Sequence, residues 1–116
     1  MDIMIAALLR QIGLRGTPCG FHYLVKASQL VLEDETYLLH LTKRLYPDVA
    51  RAFQVTPSQV ERSLRTAVNS LWEQGCIAAV ENLVGYRIRE KPYVGEFIDI
   101  LSGYLRSQLE NSTAAS

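Results

Sequence analysis

Cysteine is scarce in this 116-residue chain: Cys19 and Cys76 are its only two. They give no disulfide framework and no CxxC, so a reduced, cytoplasmic setting is expected. Long apolar runs are missing as well. The N-terminal run IMIAALL, at 3–9, has seven residues, far short of the roughly 20 that a membrane span needs. Asp2 precedes it, and it lacks a basic segment and a cleavage site, so it is not expected to be a signal peptide. No P-loop, glycine-rich phosphate cradle or paired-carboxylate signature is present, so no cofactor and no enzymatic activity are expected. Cys19 and His22 form a C-x-x-H that His40 and Cys76 could complete, but this spacing matches no zinc module. A Cys/His nucleophilic pair would lack an evident orienting acid. There is no excess of charge of either sign, since charged residues make up 21% of the chain and the net charge is zero.

What the chain does have is helical periodicity. Apolar residues make up 48%, enough for one ordinary core at this length, and no alternating strand pattern stands out. Residues 2–12 read as an amphipathic helix with Ile5, Leu8, Leu9 and Ile12 on one face, ended by Gly13 and Gly16. Thr17-Pro18 reopens the chain, and a second helix is expected over 19–32, striped by Phe21, Leu24, Val25, Leu30 and Val31. A third is expected over 33–45, with Glu33, Asp34 and Glu35 in its first turn and Lys43 and Arg44 in its last, both matched to the helix dipole. A short helix follows at 47–53, with Val49, Ala50 and Phe53 facing inward. After the turn QVTPS, a helix capped by Thr56 and opened by Pro57 runs to about Glu73, with Gly75 just past its end. A short helix over 76–84, a loop over 85–95 and a terminal helix over 96–109 complete the pattern. In that last region Tyr93, Phe97, Ile100, Leu101, Tyr104 and Leu105 are more apolar residues than one stripe requires. Residues 1–110 are read as one domain and 111–116 as a disordered tail.

The stretch 42–72 reads as a helix-turn-helix. In its second helix Val60, Leu64, Ala67, Val68 and Leu71 share one side at 3.6 periodicity. Ser58, Arg62, Arg65, Thr66 and Asn69 share the other, with Gln59 and Glu61 at its edges. Such side chains reach base edges and phosphates in a DNA major groove. Five basic residues against two acidic ones over 43–65, and three against one over 87–91, suggest a basic stripe within the neutral whole. Gln54 stands where many such motifs carry glycine, because the turn can require positive φ. From spacing alone, a plain pair of packed helices remains an equal alternative.

Longer segments carry a family resemblance. LTKRLYPDVARAF and TPSQVERSLRTAVNSLWEQG, together with IGLRGTPCGFHYL, LVGYRI and KPYVGEFI, resemble the C-terminal effector domain of the stage-zero sporulation master response regulators. The resemblance spans essentially the whole chain. It implies an all-α fold of about six helices, related to winged-helix proteins but without a clear wing, and a cytoplasmic transcription regulator that binds double-stranded DNA at short, often tandem boxes. In that family the domain follows a phosphoacceptor receiver; whether one was cut away or is naturally missing stays open. Carried over residue by residue, Glu61, Arg62 and Arg65 fall at recognition-helix positions. Ser58 falls near the helix start and Lys91 in the K-P segment beside the DNA backbone. Gln59 and Thr66 occupy contact positions where the family tends to have Arg and His, and Cys19 stands where it tends to have Lys. These departures leave a rival reading, a helical protein-interaction module with weakened or lost DNA binding. A second copy on tandem sites, a receiver domain and RNA polymerase are equal candidates to meet the last helix.

Overall fold

A computed structural model describes residues 2–14 and 18–115. The expected break at Gly16-Thr17 lies outside the described residues, as does the side chain of Cys19. The backbone forms α1 (Asp2–Gln11), α2 (Pro18–Glu33), α3 (Tyr46–Phe53), α4 (Pro57–Glu73), α5 (Ile77–Val84) and α6 (Val94–Ala115). No strand occurs among the described residues, so the fold is all-α.

The core follows from the helical stripes. Ile5, Leu8, Leu9 and Ile12 of α1 are buried. α2 packs against α1, α4 and α6 and buries Phe21, Leu24, Ala27 and Val31, whereas the expected Val25 and Leu30 are only half-buried. Gly20 explains how closely α2 crosses α4. A Cβ there would sit 3.1 Å from the Ser63 carbonyl oxygen and 3.2 Å from the Ala67 Cβ. On α6 the buried face is Phe97, Ile98, Leu101, Ser102 and Leu105. Ile100 and Tyr104 fall beside that face and border a groove of about 420 Å³ with Leu83, Val84 and Tyr86 of the α5 end. α6 continues to Ala115, beyond the Leu109 boundary expected, because no glycine or proline follows Gly103 to end it. Tyr93 precedes the helix and is 81% exposed.

One element differs in kind from the sequence reading. The helix expected over 33–45 is instead a 3-10 helix, Glu35–Leu39, followed by a π-helix, Leu41–Leu45, that runs straight into α3. Asp34 breaks the helix. Its backbone is extended, and its side chain accepts the Thr36 N–H at 3.0 Å and the Thr36 hydroxyl at 2.6 Å. This local bond offers the backbone an alternative to helix. Arg44 does not serve a helix dipole; it returns to Asp34 at 3.2 Å and to the Thr36 hydroxyl at 2.7 Å, over the Tyr37 ring. Tyr37 donates its hydroxyl proton to Asp48, and Glu35 pairs with Arg106 of α6 at 2.7 Å. The bond to Asp48 raises the Tyr37 phenol above its ordinary range, with burial adding to it. The hydrogen bonds from Thr36 hold the Asp34 carboxyl below its ordinary value.

Candidate nucleic-acid interface

α3, the turn and α4 form the expected helix-turn-helix. Val49 and Ala50 are buried where α3 meets α4, and the small Ala50 side chain admits the close approach. Phe53, expected to face inward, lies 39% exposed because Tyr23 fills the interior beside it, the two rings meeting edge-on at 5.1 Å. Gln54 has φ 56° and ψ 45°, making it the only non-glycine residue with positive φ among those described. The Val55 N–H then closes onto the Ala50 carbonyl at 3.0 Å. A left-handed conformation costs an L-residue about 1 kcal/mol. At the far end of α4 the same reversal is made by Gly75 at φ 76°, where the strain is absent. There the Gly75 N–H bonds the Trp72 carbonyl and the Cys76 N–H the Leu71 carbonyl, the double bond of a Schellman closure.

α4 begins in a capping box. The Thr56 hydroxyl accepts the Gln59 N–H at 3.2 Å, and Gln59 Oε1 accepts the Thr56 N–H at 2.9 Å. Together they satisfy two backbone donors that the helix start leaves unpaired. Pro57 needs no donor at the first position. Val60, Leu64, Ala67, Val68 and Leu71 are all buried, at about 1.5–3 kcal/mol for each large side chain. This stripe fixes the rotation of α4, and so decides what faces outward.

Ser58, Gln59, Arg62, Arg65 and Thr66 are exposed, and Glu61 and Asn69 are half-buried at the margins. Arg62 has no ion pair among the described residues. Arg65 is held by Glu61 one turn earlier, at 2.5 Å. Lys91, 26 positions beyond Arg65 in sequence, is brought beside it: both border a cleft of about 250 Å³ with Asn69, Pro92 and Tyr93. Tyr93 is the member of this cleft that the sequence reading placed elsewhere, with the apolar face of the last helix. Its tell was position, directly after the K-P pair and before the helix start.

The basic stripe is partly spent within the fold. Of its five cations over 43–65, Arg44 pairs with Asp34, Arg51 with Asp48 at 3.0 Å, and Arg65 with Glu61. Lys43, Arg62, Arg87, Arg89 and Lys91 are exposed and have no ion pair among the described residues. Exposed pairs contribute only about 0–1 kcal/mol each, so a phosphate can displace the acid from Arg51 or Arg65. No group of three potential metal ligands occurs among the described residues. An exposed polar helix face, two adjoining cations and a helix-turn-helix behind them suit a nucleic-acid backbone and groove. A family model described as "Sporulation initiation factor Spo0A C terminal" matches residues 5–105.

Proposed function

Because this chain belongs to the family of sporulation initiation factor Spo0A C-terminal, DNA-binding domains, we propose that it reads double-stranded DNA in sequence-specific fashion through the outer face of α4. The observation that carries this is the exposure of Arg62 and Arg65, with Ser58 and Thr66, directly opposite the buried Val60–Leu64–Leu71 stripe. Arg62 and Arg65 are placed to meet guanine edges bidentately, and Glu61 to accept from a cytosine amino group. The Ser58 hydroxyl and its backbone N–H, the one donor of the first α4 turn that the cap leaves over, suit a phosphate. Lys91 extends the phosphate track beside Arg65, and Gln59 and Thr66 supply the remaining polar contacts. In this reading residues 1–110 act as one cytoplasmic effector domain of the response-regulator type. Among the described residues no helix is long and apolar enough to cross a membrane.

The test is a gel-shift titration on the family's DNA box with a scrambled duplex as control. Preference for the box supports the reading; equal affinity for both duplexes defeats it. With so few free cations on the face, log K should fall with log salt at a slope of about −3 to −5 for a monomer. A slope near −10 would mean that other surfaces engage phosphate.

One observation favours the second reading, an interaction module with weakened DNA binding. Gln59 is occupied by its own helix cap, and three cations of the stripe face carboxylates. Folded protein that shifts no box at low salt would establish that reading. We assign self-association on tandem sites, or contact with RNA polymerase, to the last helix, where Ile100 and Tyr104 border an open groove. Phe97 is fully buried and belongs to the core instead. Tyr104→Ser should remove cooperativity on a two-box duplex and leave one-box affinity intact. Unchanged cooperativity would move the self-contact off α6.

A further inference from the structure

Five large apolar side chains stand exposed among the described residues: Ile3, Leu39, Phe53, Tyr86 and Tyr93. Two of them meet in one place. Ile3 of α1, 85% exposed, and Phe53 at the end of α3 border an open groove of about 390 Å³ that runs between α1 and α2. Its floor is Phe21 and Val25, and its rim holds Arg10 and Lys26. Neither cation has an ion pair among the described residues; Arg10 instead lies 5.0 Å from the centre of the Phe21 ring. Among the described residues no carboxylate lines the groove. Arg44, Arg51, Arg65 and Arg106, by contrast, each face an acid.

We propose that the groove between α1 and α2 docks an amphipathic helix of another protein, one whose apolar anchors are flanked by acidic residues. An apolar trough between two helices accepts a third helix through anchors spaced at i, i+3, i+4 and i+7. The two rim cations select the sign of its flanks and disfavour a basic helix. A DNA backbone would gain nothing from the apolar floor. A lipid surface is a poor match too. Membrane-surface binding uses a broad apolar face with a cluster of several cations, whereas here the apolar surface is recessed and the rim holds two. None of Ser58, Gln59, Arg62, Arg65, Thr66 and Lys91 lines the groove, so the inference does not rest on DNA recognition.

The probe is a synthetic helical peptide of about 18 residues, with leucines at those four spacings and glutamates flanking them. A second peptide carries lysines in place of the glutamates. Titrated into isotope-labelled protein, the acidic peptide should shift the backbone amides of α1, α2 and Phe53 saturably, with a Kd on the order of 10–100 μM. Lys26→Glu and, separately, Ile3→Ser should each weaken it about 10-fold without changing a DNA gel shift. Both side chains reach solvent, so two variants guard against loss of folding in one. Equal binding of the two peptides, shifts centred on other helices, or no binding at all overturns the proposal. So does Lys26-dependent binding to phosphatidylglycerol vesicles in the absence of peptide binding, which would make the groove a lipid site.

Discussion

The outer face of α4 and the connection between α2 and α3 carry the same kinds of side chain and use them in opposite ways. On α4, Arg62, Arg65 and Thr66 stand outward on a helix whose rotation is fixed by apolar residues behind them. In the connection, Asp34, Thr36, Tyr37 and Arg44 turn toward one another and to Asp48 of α3. The first arrangement displays polar groups; the second consumes them to hold a 3-10 and a π segment in place. Polarity alone therefore does not mark a binding surface. What separates the two regions is whether apolar packing or the polar groups themselves fix the backbone.

The comparison can be broken most forcefully from behind. Leu64→Ala removes the buried centre of the α4 stripe and should destabilise the domain by about 2–5 kcal/mol, measured by urea unfolding. A loss below about 1 kcal/mol would mean that the stripe does not fix the helix. A sharper cut pairs Arg65→Ala with Arg44→Ala. The first should cost about 1–3 kcal/mol in DNA affinity and relax sequence preference, with little change in stability. The second should leave DNA affinity alone and cost about 1 kcal/mol or less of stability. If Arg44→Ala weakens DNA binding as much as Arg65→Ala does, the division between display and clamp fails. The smallest effect is expected at the joint of the motif: Gln54→Gly relieves the left-handed backbone and should stabilise by about 0.5–1 kcal/mol. A destabilised variant would show that the Gln54 side chain contributes something the backbone geometry does not reveal.

α4 was legible from the sequence because each of its determinants is local: the Thr56 cap, Pro57, the 3.6-residue stripe and Gly75. The strain at Gln54 was legible too, as a residue standing where a turn calls for positive φ. The connection over residues 34–45 was not. Its apolar and charged spacing suits a single helix, but its real partners are distant in sequence, with Glu35 meeting Arg106 and Tyr37 meeting Asp48. The one local clue was Asp34-x-Thr36, a side chain poised to cap. On α6 the buried side was open in the sequence for a similar reason. Apolar residues lie on more than one side, and packing against α2, rather than spacing, chose Ile98 over Ile100. At the candidate interface, the outward face of α4 followed from periodicity alone, whereas the approach of Lys91 and Tyr93 to Arg65 depended on the course of the 85–93 loop.

The capping box has a consequence for how such a domain can change over evolutionary time. The outer α4 positions 62, 65 and 66 lie outside the core, so, on the proposed DNA-reading role, substitutions there rewrite a binding preference with little penalty to the fold. Gln59 is the exception, because its side chain closes the first turn of the helix. An arginine at that position would gain a cation for DNA and lose half of a reciprocal cap. Drift at position 59 is therefore a trade between grip and helix order, whereas drift at its outer neighbours is close to free, and new specificities should arise first at those neighbours.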